Sequence, residues 1–231
     1  MELMPAIGSI ERIATISGGV LYAIAALLLV ALTVIVERAW ALTWAARAGA
    51  KLAEKLRATP RIDARDLEFL RERYALVPHA ALLAVLLEHP DVRGREQLLG
   101  LLDEALMLQA PRIDRGLWLL DTIVTLGPLL GLLGTIIGIF SAFQVLGNPG
   151  TVPAQVTSGV AEALIATAAG LLVAIIGLIF FNGLQKRVRV VVHQMETIKL
   201  ILVNRLAARA GVPVYEAPAR DGRDVALREA R

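Results

Sequence analysis

Gly159-Val160-Ala161-Glu162-Ala163-Leu164-Ile165-Ala166-Thr167 is the stretch on which the reading of this chain turns. Glu162 is the single ionisable side chain between Asp121 and Lys186. Everything around it is apolar or small, and the segment is long enough to cross a bilayer twice. A carboxyl group at membrane depth is costly and is kept where a partner, a proton or water meets it. Movement of protons or ions is therefore the first expectation.

Composition agrees. Hydrophobic residues make up 56% of the 231 and the mean hydropathy is +0.63, while the charged residues gather in blocks. That pattern belongs to an integral membrane protein. The chain has no cysteine, which excludes disulfides and thiolate chemistry. Its pI near 9.6 does not point to nucleic acid, because the basic residues flank apolar spans and are not interleaved with stacking aromatics.

Outward from Glu162, a second span runs from about Gly116 to Gly147 and turns at Asn148-Pro149-Gly150. The third rises near Pro153, a residue suited to a first helical turn, and leaves the membrane near Gln185. The first uncharged stretch, Ile13 to Val36, is roughly 36 Å of helix, enough to span with tilt. Ala39-Trp40-Ala41 mimics a signal-peptide cleavage site, but the apolar run is too long and its start is not basic, so a retained helix is expected.

The residues from Ala45 to Arg115 have mixed charge, with breaks at Pro60, Pro78 and Pro90. Lys51–Leu56, Asp63–Tyr74 and Arg95–Leu108 read as short amphipathic helices, with Leu98, Leu101, Leu102, Ala105 and Leu108 on one face of the last. The apolar patch Ala80–Leu87 is too short to span and reads as buried packing. After Gln185, Val188, Val191, Val192, Met195, Ile198, Leu202 and Leu206 keep helical spacing, so the third helix is expected to project beyond the membrane with an apolar stripe suited to a subunit contact.

The architecture expected is an all-α integral membrane protein with three transmembrane helices and a cytoplasmic helical subdomain. Its parts are an N-terminus and first span (1–44), a helical loop (45–115), a second span (116–147), a turn (148–157), a third span with its extension (158–210) and a disordered tail (211–231). Twelve Lys and Arg lie in 45–115 and ten after Gln185, against one before the first span and none in 148–157. The positive-inside rule places the loop and tail in the cytoplasm and the N-terminus and short turn outside. Trp40, Trp44 and Trp118 fall at the cytoplasmic ends of spans, as interfacial anchors do.

Small residues mark close packing. Gly127, Gly131, Gly134 and Gly138 form two GxxxG pairs on the second span, and Ser158, Glu162, Ala166, Gly170 and Ala174 recur every four residues on the third. By the helical rise, Thr135 and Thr167 lie roughly 14–16 Å from the outer end, at similar depth. They are candidates to face one another or a shared lumen; alternatively each hydroxyl bonds its own backbone four residues back.

The runs Asp121-Thr122-Ile123-Val124-Thr125-Leu126-Gly127-Pro128-Leu129-Leu130-Gly131-Leu132-Leu133-Gly134-Thr135-Ile136-Ile137-Gly138 and Gly159 to Leu171 closely resemble the two signature segments of the ExbB/TolQ branch of the MotA/TolQ/ExbB proton-channel family. In layout the resemblance covers nearly the whole chain, with the loop and tail matching only in position and character. It implies a homopentamer whose second and third helices line a lumen around single-span partner helices of the ExbD/TolR type. Proton flow there would drive motion that TonB or TolA transmits to the outer membrane of a bacterium, with the ring in the inner membrane.

On that resemblance Glu162 matches the family's membrane glutamate, and Thr135 and Thr167 its lumen-facing threonines. Ile176 stands where many relatives carry proline, and Ile137 where many carry tryptophan; the first departure implies a straighter third helix. Of the two branch names, ExbB fits the first span better than TolQ. A flagellar stator fits less well, since that branch resembles a four-span layout and generally lacks this glutamate.

The mechanism expected makes Glu162 the protein-side relay, alternating with an aspartate that the resemblance assigns to the partner helix. One charge crossing 100 mV releases about 2.3 kcal/mol, enough to bias a register shift. No enzyme is expected: His79, His89 and His193 are scattered, and there is no phosphate loop or nucleophile elbow. No cofactor or metal is expected either. The competing class is a passive membrane scaffold that positions a periplasmic partner, which would share the packing helices and have no use for Glu162.

The charge asymmetry carries a direct test. Cysteines introduced at Asn148 and Glu216 are expected to react with an impermeant maleimide from opposite sides of the membrane; labelling of both from one side would overturn the three-span topology.

Overall fold

A computed structural model describes residues 19–59, 63–92, 94–146 and 153–209. The expected turn at Asn148-Pro149-Gly150, the tail from Gly211 and the segment before residue 19 lie outside them. The regular elements of the described residues are six helices: α1 Val20–Ala58, α2 Ala64–Arg73, α3 Ala80–Glu88, α4 Arg95–Ile113, α5 Leu117–Leu146 and α6 Pro153–Arg209.

Two boundaries differ from the sequence expectation, for identifiable reasons. Lys51–Leu56 is not a separate short helix but the end of α1, because Ala39–Ala58 is rich in alanine, leucine, lysine and arginine and its one glycine, Gly49, is tolerated. The helix stops before Pro60, which disfavours helical geometry at the residue preceding it. Helix α4 likewise continues past Leu108 to Ile113. It ends in a turn where Gly116 adopts φ +79, a conformation an L side chain rarely takes, and α5 starts at once.

The start of α2 matches its sequence signal. The Asp66 carboxylate accepts the Asp63 backbone N–H at 3.3 Å, half of a capping box. Helix α6 is continuous for 57 residues and holds Ile176 within it. Pro128 lies inside α5, where it removes the bond to the Val124 carbonyl; a buried or packed neighbourhood lets a membrane helix carry that loss.

Three helical stretches are long and apolar enough to cross a membrane, within Val20–Ala58, Arg95–Gln144 and Thr157–Arg205. Only 22%, 28% and 22% of their most apolar windows is buried inside the chain, so most of that surface is left for lipid or other chains. The chain is a multi-pass membrane protein.

The chain divides into two compact units. One comprises Met1–Trp44 with Ile113–Arg189 and holds the apolar parts of α1, α5 and α6. Its buried positions include Ile24, Ala31 and Ile35 of α1, Leu120 and Ile123 of α5, and Ala163, Ala166 and Val173 of α6.

The other unit comprises Ala45–Arg112 with Val190–Arg231. Its core draws Leu52 and Leu56 from α1, Leu67 and Leu70 from α2, Leu82 and Leu83 from α3, and Leu98 and Leu102 from α4. Val191, Met195, Ile198 and Leu202 of α6 are also buried within the chain. At these four positions the stripe expected to meet another subunit is thus covered within the chain itself. Of the residues expected on one face of α4, Leu98, Leu102 and Ala105 are covered and Leu108 is 65% exposed. Lys199 of α6 pairs with Asp103 of α4 at 2.6 Å, and Arg205 donates to the Arg57 carbonyl at 2.7 Å, satisfying one of the last carbonyls of α1.

One polar group stands inside this core. His79, just before α3, is wholly buried, with no hydrogen bond of good geometry to either ring nitrogen among the described residues. Its ring lies where a Cβ on Gly49 would be, and the Gln194 side-chain oxygen crowds the same spot. Gln194 in turn donates to the Ala46 carbonyl at 3.0 Å. Burial pushes the His79 pKa down to about 4, against smaller upward pulls from the Gln194 side chain and the Val191 backbone.

Because the folded-state pKa lies below the free value of 6.5, the unfolded chain takes up the proton first. Stability from this site is complete above pH 6.5 and is lost as pH falls toward 4, by up to about 3 kcal/mol. Thermal unfolding of the detergent-solubilised protein across pH 7.5 to 4.5 is expected to fall more steeply for wild type than for His79→Leu. Parallel slopes would show that the buried ring does not set the acid sensitivity.

Candidate functional site

In the membrane unit α5 and α6 run antiparallel with their backbones nearly touching. A Cβ added to Gly127 would stand 2.8 Å from the Gly170 carbonyl oxygen, and one added to Gly131 would stand 3.0 Å from the Thr167 Cα. At Gly134 it would meet the Ala166 Cβ at 2.8 Å, and at Gly138 the Ala163 Cβ at 2.6 Å. Gly170 is crowded from the other side by the Gly127 carbonyl. Small residues let the helices approach where no hydrophobic force operates between them, and these contacts all lie within one chain.

Several members of this seam carry no sequence expectation. Ala163 faces Gly138, a Cβ on Gly159 would stand 3.0 Å from Ala142, and one on Gly177 would stand 2.8 Å from Val124. Ala163, Gly170 and Gly177 recur every seven residues, a period that follows this face of α6 better than the every-four row through Ser158, Glu162 and Ala166. The four-residue row drifts off the seam at its start. Ser158, expected among the packing residues, is exposed, and Glu162 is half-buried beside the contact.

Thr135 and Thr167 meet across the seam. Their hydroxyl oxygens contact one another. Thr135 Oγ1 also donates to the Gly131 carbonyl, four residues back, at 3.0 Å. Thr167 does not bond its own helix: its hydroxyl reaches across to the same Gly131 carbonyl at 2.9 Å. Three oxygen–oxygen contacts share two hydroxyl protons, so one hydroxyl can bond either the carbonyl or the other hydroxyl. Such a group can hand a proton on by rotation.

Glu162 stands about 7.5 Å from Thr167 along the axis of α6 by the helical rise. Ser158 donates to one carboxyl oxygen, Oε1, at 3.3 Å. The other, Oε2, is inaccessible and has no hydrogen-bond partner among the described residues. A buried acceptor left in that state costs free energy unless a proton, water or another group supplies what the described residues do not. The structure thus brings Ser158 to Glu162 and Thr135 to Thr167 and Gly131, as two separate clusters along α6.

A family model described as the MotA/TolQ/ExbB proton channel family matches residues 75–197, more than half of the chain. The chain belongs to this family. Members are transport components and not enzymes. Among curated relatives, the biopolymer transport protein ExbB-like 1 of Synechocystis sp. is 48% identical over 77 residues, 32% of this chain and 30% of the relative. The ExbB homolog of Methanothermobacter thermautotrophicus is 35% identical over 107 residues, 46% of this chain and 38% of that one. The biopolymer transport protein ExbB of Aquifex aeolicus is 40% identical over 78 residues, 33% of this chain and 53% of that one. The chain spans about a third to a half of the length of these relatives.

The seam predicts a contrast between two glycines. Gly134→Leu forces bulk against Ala166 and is expected to cost about 1–3 kcal/mol. Gly183→Leu, in a position with nothing within 4 Å, is expected to be tolerated. Thermal unfolding in detergent reads both; equal loss in the two variants would remove the seam as the source of stability.

Proposed function

We propose that this MotA/TolQ/ExbB family member is a proton-conducting subunit of a membrane motor, and that Glu162 is its relay. The observation that carries the proposal is the carboxyl oxygen Oε2, buried in a membrane-spanning helix with no protein partner among the described residues while Ser158 steadies Oε1. A scaffold gains nothing from that cost, whereas a group that binds and releases protons needs an oxygen not already bonded, for which an incoming acid supplies the missing partner. Thr135 and Thr167, which can redistribute two protons over three contacts, act as the next stage toward the inner end.

In this reading a mobile element from another chain carries the proton between Glu162 and the threonine pair. In this proposal a single-span partner of the ExbD/TolR type brings an acid of its own, and two carboxyls sharing one space seldom both ionise, so their alternate protonation favours successive registers. Several copies of this chain, a pentamer by family resemblance, enclose the partner helices. The ring sits in the bacterial inner membrane with the helical unit in the cytoplasm, and its motion reaches the outer membrane through TonB or TolA. The exposed apolar surface left on the three spans suits such assembly.

Glu162→Gln keeps size and hydrogen bonding and removes the titrating proton. It is expected to assemble with the partner as wild type does and to lose proton flux in liposomes and energised uptake in cells, while Glu162→Asp retains part of both. Thr135→Val and Thr167→Val are expected to give milder losses. Full activity of Glu162→Gln at equal complex yield would favour the passive scaffold.

A further inference from the structure

At one end of the membrane unit, α1 and α6 assemble a group that neither seam nor relay uses. Arg187 of α6 donates to the Thr43 hydroxyl of α1. Thr43 spends its own proton on the Ala39 carbonyl one turn back, so its lone pairs are turned to accept. The guanidinium is thereby tied to the turn of α1 that carries Trp40 and Trp44, which are 80% and 47% exposed. Thr43 is its one hydrogen-bond partner among the described residues, which leaves the other N–H donors of the fork for a ligand.

The surroundings define that ligand. Lys186 and Arg189 are exposed on either side of Arg187, with no acid between Glu162 and Glu196 on this helix. The nearest acid on α1, Glu37, is engaged by Arg38 at 2.8 Å. On α1 and α6 this end is therefore net positive. Toward the membrane interior, Leu32 and Val36 continue the exposed face of α1 below Trp40, 45% and 68% exposed. An anion alone would have no use for that ridge, whereas an acyl chain lies along it while its headgroup meets the cation.

We infer that Arg187, held by Thr43 on the turn of α1 that carries Trp40 and Trp44, is a binding site for the headgroup of an anionic phospholipid, with the exposed ridge of α1 taking an acyl chain. Arg187 supplies the planar fork that suits a phosphate, and the indole N–H groups are further donors at headgroup level. Thr43 acts as a positioning residue, since it orients the fork and does not touch the lipid. The site rests on these helices being membrane spans and is independent of proton conduction, so Glu162→Gln keeps it.

The chain has three tryptophans, all in this unit, so fluorescence quenching by brominated acyl chains reads the site directly. In a Trp118→Phe background, the full chain in mixed bilayers is expected to be quenched more by brominated phosphatidylglycerol than by brominated phosphatidylcholine. Loss of one cation at a membrane surface is worth a preference of about fivefold, so Arg187→Gln is expected to bring the two lipids close to equality. Thr43→Val is expected to weaken the preference in the same direction, and Arg65→Gln, in the other unit, to leave it unchanged. Inorganic phosphate at matched concentration is expected not to displace the lipid. Equal quenching of wild type by both lipids, a preference that survives Arg187→Gln, or displacement by phosphate alone would each overturn the site.

Discussion

The contact between the α5 and α6 backbones governs the rest of the membrane unit. Side chains of ordinary size at Gly127, Gly131, Gly134, Gly138 or Gly170 would hold the two helices apart. Separation would break the bond from Thr167 to the Gly131 carbonyl, since that bond exists only because the helices are close enough for a hydroxyl to cross. The glycines therefore do more than stabilise packing. They set the distance at which a hydroxyl of one helix becomes a ligand of the other helix's backbone, and so create a polar point inside an apolar layer.

The same geometry explains why Glu162 is left incompletely satisfied. It lies one position round α6 from Ala163, which is fully covered by α5, and so sits at the edge of the seam. That edge covers Oε2 and gives it no donor among the described residues. A residue inside the seam would be sealed, and one on the opposite face would meet only lipid. An edge position is the one from which a carboxyl group can be shielded by its own chain and still be reached by another.

Much of this was legible in the sequence because membranes impose strong constraints. The isolation of Glu162, the uncharged length of each span and the small residues at helical spacing all follow from the cost of charge and of bulk in a bilayer, and each is visible as a pattern. The exact face of a long helix was less legible. A four-residue row and a seven-residue row diverge over a few turns, which is why Ser158 was expected in the seam and Gly159, Ala163 and Gly177 were not. The apolar stripe of α6 from Val191 to Leu202 was read correctly as a stripe, but its partner was misjudged: amphipathicity shows that a face is buried and carries no information on what buries it. His79 offered no signal at all, since a lone histidine reads alike whether it is solvated or enclosed.

The central claim is that the Glu162 carboxyl changes protonation state at membrane depth. Infrared difference spectroscopy of the reconstituted protein with its partner tests it without relying on transport, by comparing wild type with Glu162→Gln as pH is varied. A protonated-carboxyl C=O band that rises and falls with pH in wild type and is missing from the variant is the result expected. A wild-type spectrum in which no such band can be assigned to Glu162 at any pH would contradict the account, because a carboxylate that never takes up a proton cannot relay one.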